Sequence, residues 1–257
     1  MNRSSSGAIF VFALGILMLA MVGPVAAMLL SMPPAGVLEA FSAAPAQNAL
    51  RTSFLASLCA VGIASVLGIP AGYELAHRPP HFRALILFML ALPLAFPPVA
   101  SGIVLLNIVG AASPLGAWLS RYGIAMVDTF AGVVLAEFFV AGSLVVITAC
   151  AAFKNLDPAY EESAASLGAS PWQRFRRIAL PLAAPNVLAG VLLAWLRAIG
   201  EYGATSIVAY HPTSLPVALY VSLSGSGVSA ALALSYGFAV LAALVVALQW
   251  AVRRHVV

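Results

Sequence analysis

Six runs of about 20 residues or more, each nearly free of charge, restrict this chain more than any motif does. They fall at about 8–30, 49–73, 84–108, 129–152, 185–210 and 230–252. A bilayer core is about 30 Å thick, and ~20 apolar helical residues cross it. Within lipid a segment must satisfy its own backbone hydrogen bonds, so such runs are read as helices. At 63% hydrophobic and 8% charged, the chain lacks the about 25% charge usual in a water-soluble domain. The expected fold is all-α: a polytopic membrane protein with six transmembrane helices in one membrane domain over residues 1–257. A polar loop at 154–184 separates spans 4 and 5.

The first run is longer than the apolar core of about 7–15 residues in a cleaved signal peptide, so a retained helix is expected. Span 2 carries Ala56, Ala60, Ala64, Gly68 and Gly72 at a four-residue spacing, a stripe against which another helix can pack closely. Span 3 contains Pro93, Pro97 and Pro98, which remove backbone donors and must kink or break it. Such a break is tolerated where it lines a cavity, which makes the prolines candidates for a pathway or gate and equally for a packing kink. Residues 31–48, 109–128 and 211–229 read as connections, with one short interfacial turn at Val37 to Phe41. Cys59 and Cys150 both lie in apolar runs and form no metal or disulfide pattern.

Charge orients the chain. With six spans, one side collects Arg3, Arg78, Arg83, Lys154, Arg174, Arg176, Arg177, Arg253 and Arg254, against Arg51 and Arg121 on the other. The positive-inside rule then puts both termini and the polar loop in the cytoplasm. The net charge of +4 follows from that bias, and no stacking platform or basic domain accompanies it, so no nucleic-acid partner is expected.

The polar loop contains two helix starts. Asp157-Pro158 supplies an N-cap with proline at N1, and Ser170-Pro171 with Gln173 spells a capping box. Gly168 stands where a C-cap glycine would end the first helix. Tyr160, Ala164 and Leu167, at i, i+4 and i+7, share one face of that helix. A small apolar face framed by charge suits either a partner's groove or the lipid headgroups.

The spacing Glu162-Ser163-Ala164, three residues, Gly168, nine residues, Ile178, one residue, Leu180-Pro181 resembles the EAA loop of ABC-importer permeases. Ser163 departs from the motif's second alanine, small for small. The stretches Leu167 to Trp172, Leu180 to Leu182, Gly200 to Thr205 and Leu215 to Tyr220 are similar to the molybdate/sulfate branch of these permeases, while Asn186 stands where that branch commonly has glycine. The resemblance implies a permease subunit of a binding-protein-dependent importer of a tetrahedral oxyanion, molybdate or tungstate, with sulfate, thiosulfate or another small solute as the alternative. It implies that Tyr160, Glu162, Ala164, Leu167 and Gly168 couple to a cytoplasmic ABC ATPase dimer. It also implies an external or periplasmic binding protein, a second permease copy and a prokaryotic inner membrane as the setting.

Such a subunit is not an enzyme and holds no cofactor of its own. There is no GxxxxGK[ST], and Lys154 is the only lysine, so ATP must be used by a partner subunit. The reading from another class is an autonomous secondary transporter, supported by Glu137, Arg197 and Glu201 within spans. Arg197 and Glu201 are at i,i+4 and can pair, with Glu137 at similar depth. A structural charge network is preferred, because two carboxylates beside a pathway would repel an oxyanion. Thr205, in the Gly-Glu-Tyr-Gly-Ala-Thr stretch, joins the prolines as a candidate pathway residue.

Overall fold

The computed structural model describes the backbone of residues 3–256, with side chains from residue 9 to 248 and at 250. Arg3, Arg253, Arg254 and His255 therefore lie outside the described side chains. The described residues are almost entirely helical: α1 (Arg3–Ser31), α2 (Pro34–Ser42), α3 (Ala44–Ala76), α4 (Pro80–Ala95), α5 (Pro98–Val109), α6 (Pro114–Arg121), α7 (Phe130–Lys154), α8 (Pro158–Ser166), α9 (Pro171–Arg174), a π-helical turn (Phe175–Ala179), α10 (Leu180–Ile199), α11 (Gly203–Val208), α12 (Leu215–Ser226) and α13 (Val228–Val256). Five helices are long and apolar enough to cross a membrane, and a sixth crossing results if α4 and α5 count as one bent span.

The core is built on α3, α7 and α10. The small-residue stripe of α3 faces α7: a Cβ added at Gly72 would lie 2.7 Å from the Ala149 Cβ. Close approach at small residues replaces the hydrophobic drive that lipid cannot supply. Two buried hydroxyls of α3 then reach across the bundle. Ser57 Oγ accepts from Trp195 Nε1 at 2.9 Å, and Ser53 Oγ accepts from the Leu215 amide at 2.8 Å. α1 has no buried residue in its apolar window, although the Tyr236 hydroxyl donates to the Met28 carbonyl at 2.6 Å and ties its end to α13.

The broken span 3 follows the sequence expectation, whereas span 5 and the stretch 211–229 differ from it, as does 109–128, which holds the helix α6. The span expected at 84–108 is two helices, α4 and α5, bent by 105°. Neither Pro97 nor Pro98 has an amide to donate, so the α4 ladder ends with the Phe96 amide on the Leu92 carbonyl, and Phe96 turns extended (φ −72, ψ 139). The span expected at 185–210 starts earlier and stops sooner. Its helix runs from Pro171 through the π turn to Ile199, and Gly200-Glu201-Tyr202 separates it from α11. The Leu180 amide bonds to Phe175 five residues back, directly before Pro181, which would have had no donor for the regular ladder. Finally, 211–229 is not a plain connection but holds α12, packed on α13 and α3.

Candidate functional site

Two places bring the candidate residues together: the hairpin of α8 and α9 at one end of the bundle, and the joint between α5 and α11 deeper within it.

Local chemistry shapes the hairpin. Asp157 Oδ1 accepts from the Ala159 amide at 3.0 Å, and Pro158 occupies the first helical position. At the other end of α8, Gly168 has φ +83, its amide donates to the Ala165 carbonyl, and the Ala169 amide donates to the Ala164 carbonyl. This pair of bonds is a Schellman ending, which needs a left-handed residue at the glycine. Two residues on, Ser170 and Gln173 form both halves of the capping box, Gln173 amide to Ser170 Oγ at 3.3 Å and Ser170 amide to Gln173 Oε1 at 2.8 Å. The hairpin is thus fixed by three tethers between Asp157 and Gln173.

What the hairpin leaves outside is apolar. Leu167, at the tip, is 89% exposed, Trp172 61% and Tyr160 57%, with Glu162 exposed beside them and Ala164 half-buried. Such side chains on one short turn are costly in water unless a partner's groove or the lipid headgroups cover them. The opposite side of the hairpin is pinned to the bundle. Glu161 accepts from the Tyr73 hydroxyl and lies 3.3 Å from His77 Nε2, while the Tyr73 ring packs against Phe153 and Phe175 at centroid distances of 5.3 and 5.0 Å. The sequence places Glu161 among the acidic residues of the first turns of the hairpin but does not link it to Tyr73, because neither adjacency nor helical spacing connects positions 88 residues apart.

At the inner joint the helices touch backbone to backbone. A Cβ at Gly203 would lie 2.4 Å from the Pro98 Cβ, and one at Gly102 would lie 3.0 Å from the Ala204 Cα. Pro98 and Thr205, chosen separately from the sequence, therefore lie on the two helices, α5 and α11, that meet at this joint. Pro97 and Pro98 are exposed at the apex of the bend, Pro93 borders a cavity of about 310 Å³ between α3, α4 and α7, and Thr205 is fully buried.

The intramembrane charges divide into a pair and a single residue. Arg197 Nη1 lies 2.6 Å from Glu201 Oε2, and Glu201 Oε1 accepts from the Ala204 amide at 2.8 Å, so Glu201 both pairs and caps α11. It does so from beyond the end of α10, because its side chain takes the amide of Ala204 where a continuing helix would have used a backbone carbonyl. Glu137 is not in that pair. It is 1% exposed, neither oxygen has a partner, and the buried Ser101 and Thr205 hydroxyls on the adjoining α5 and α11 are likewise unpartnered.

Among the described residues no group of three or more His, Cys, Asp or Glu could hold a metal ion. The sequence and the fold as a whole have counterparts in known proteins. The family described as "binding-protein-dependent transport system inner membrane component" matches residues 64–256. The chain is 38% identical over 217 residues to a probable molybdenum ABC transporter permease protein of Haloferax volcanii, covering 84% of this chain and 79% of that one. It is 34% identical over 162 residues to a sulfate transport system permease protein of Synechocystis, covering 63% of this chain and 59% of the relative. In fold it is similar to a subunit of a bacterial alginate ABC transporter solved with a pentasaccharide-bound periplasmic protein, at TM-score 0.71 and 18% identity over 96% of this chain and 93% of that one. The chain belongs to the family of inner-membrane components of binding-protein-dependent transport systems.

Proposed function

We propose that this permease subunit forms the translocation pathway for a tetrahedral oxyanion, molybdate or tungstate, as part of an importer with a periplasmic or external binding protein and a pair of cytoplasmic ATPase subunits. The observation that carries the coupling half of the reading is the α8–α9 hairpin, rigidly capped and presenting Leu167, Tyr160 and Trp172 to solvent. Tyr160, Glu162, Ala164, Leu167 and Gly168 are the residues taken to seat in the ATPase. A second copy of this chain is taken to complete the pathway, with both termini and the hairpin in the cytoplasm, as the arginine asymmetry favours. The molybdenum permease similarity supports the oxyanion, and the sulfate permease similarity keeps sulfate as the alternative.

Within this reading the chain performs no bond-making chemistry. ATP binding by the partner draws the two hairpins together, and the spans to which they are tied pass that motion to the broken helices. The breaks at Phe96-Pro97-Pro98 and Gly200-Glu201-Tyr202 are where the backbone ladder is interrupted and the spans can bend. The test is reconstitution with the cognate binding protein and ATPase in liposomes, measuring which of molybdate, tungstate and sulfate stimulates ATP hydrolysis and is accumulated. Stimulation by molybdate or tungstate at concentrations where sulfate is inert supports the proposed substrate; the reverse order assigns sulfate. Uptake that persists without the ATPase overturns the importer reading in favour of a secondary transporter.

A further inference from the structure

We infer that Glu161 is a positioning residue for energy coupling: through the Tyr73 hydroxyl and His77 it fastens α8 to the end of α3, so that α3 moves when α8 is moved. The inference rests on the proposed coupling role of the hairpin and adds the route by which motion leaves it.

Chain connectivity shows what such a link adds. α8 follows α7 after three residues, and α9 continues through the π turn into α10, so covalent structure already carries motion of the hairpin to α7 and α10. α3 has no such connection. It ends at Ala76, 81 positions before the hairpin's N-cap at Asp157, and the backbone of α8 packs on α9 and the π turn. Glu161 bridges that gap with side chains alone. Its side chain is only 13% exposed, turned away from the docking face, and its two oxygens are divided: Oε2 accepts from the Tyr73 hydroxyl, and Oε1 faces His77 Nε2 at 3.3 Å. Both partners are themselves held. His77 Nδ1 lies 2.8 Å from the Tyr73 carbonyl one turn back, and the Tyr73 ring is wedged between Phe153 of α7 and Phe175 of the π turn. A carboxylate whose Oε2 is held by a wedged tyrosine hydroxyl, with the His77 ring against Oε1, transmits displacement, whereas a solvated surface pair would slip. Because α3 packs along most of α7 and touches α10, this strut makes the three core helices respond to the hairpin as one body.

The experiment uses the full complex with the ATPase and binding protein in liposomes, and reads molybdate taken up per ATP hydrolysed, with ATPase co-purification as a separate measurement. Glu161→Ala should lower the uptake-to-hydrolysis ratio about tenfold, the factor corresponding to one lost hydrogen bond to a charged group. Tyr73→Phe keeps the ring packing and removes only the hydroxyl; it should lower the same ratio while the ATPase stays bound. Glu161→Gln retains an acceptor for Tyr73 and should restore most of the ratio, which a general loss of folding would not allow. A wild-type ratio in both Glu161→Ala and Tyr73→Phe overturns the strut and leaves the coupling role of the hairpin standing. A wild-type chain that holds no ATPase overturns both.

Discussion

The hairpin of α8 and α9 and the joint of α5 and α11 solve opposite problems. At the hairpin Glu161 on the bundle side has partners, though a buried Arg174 nitrogen does not, and Leu167, Trp172 and Tyr160 lie bare; at the joint Ala204 and Val208 are fully buried and polar groups of Glu137, Ser101 and Thr205 are buried without partners. A protein surface that exposes Leu167 and Trp172 on a rigid turn is prepared for a contact still to be made. Polar groups buried without partners cost free energy until a water, a substrate or a rearranged neighbour reaches them. In the proposed importer this divides the labour: the stiff hairpin would receive motion, and the tight, polar joint would be where motion alters the pathway.

The largest expected effect tests how tight the joint is. Gly203→Val would place side-chain carbon within 2.4 Å of Pro98 Cβ and 2.8 Å of the Val99 nitrogen. Backbone lines that space, so no flexible side chain can move aside. Destabilisation at or above the ~3 kcal/mol top of the usual overpacking range is expected, read as lost folded yield by size-exclusion chromatography. A well-folded Gly203→Val protein would mean that α5 and α11 separate easily, and the joint would not be the tight member of the pair.

Next in size is the buried pair. Arg197→Met leaves the Glu201 carboxylate with the Ala204 amide alone, and should cost about 2 kcal/mol, below the 3–5 kcal/mol of a fully enclosed pair because the Arg197 side chain is 34% exposed. Arg197→Met combined with Glu201→Gln should recover part of that loss, as neither member is left charged. Thermal unfolding in detergent measures both. Recovery of stability without recovery of uptake would move Arg197 from the structural pair into the pathway.

At the hairpin the matching glycine change should act differently. Gly168 has open space where a Cβ would be, so Gly168→Val meets no neighbour; its cost is the left-handed backbone, about 1–3 kcal/mol and confined to one turn. The spans should remain folded while ATPase co-purification weakens, about tenfold if the turn re-forms with a 1.4 kcal/mol penalty. Equal loss of folded yield at 168 and 203 would erase the distinction between the two regions.

These contrasts also mark what could be read from the sequence. The hairpin was legible because its determinants are local: a cap, a proline and a glycine within a few residues of one another, each with one conformation to favour. Pro97 and Pro98 announced a break for the same reason, though not that it would reach 105°. The joint was not legible, since Gly102 meets Ala204 and Gly203 meets Pro98 only after the long stretch of chain between α5 and α11 has folded, and nothing in either neighbourhood names the other. α12 was hidden by its own composition; Ser214 with Pro216 is the start signal that its serines and glycines obscured. The six apolar runs located the spans, but span ends depend on competition between backbone and side chains, as at Glu201, where the carboxylate takes an amide that a longer helix would have used.

The smallest expected effect falls on Glu137, and it separates a structural charge from a working one. Its oxygens accept no hydrogen bond and reach no cation, so Glu137→Gln removes charge at nearly constant volume without breaking any contact. If the carboxylate is only a passenger in the fold, stability should stay within about 0.5 kcal/mol of the parent or rise, because an unpartnered buried ionisable group is a cost. Were Glu137 instead held by Arg197 in a three-membered network, the change would destabilise as Arg197→Met does. Uptake supplies the second axis. Glu137 adjoins the joint whose hydroxyls are also unpartnered, so the arrangement in which these groups find partners is the one the transport cycle would visit. Unchanged stability with uptake reduced severalfold would place Glu137 in that second arrangement; unchanged stability with unchanged uptake would leave Ser101 and Thr205 as the groups to substitute next.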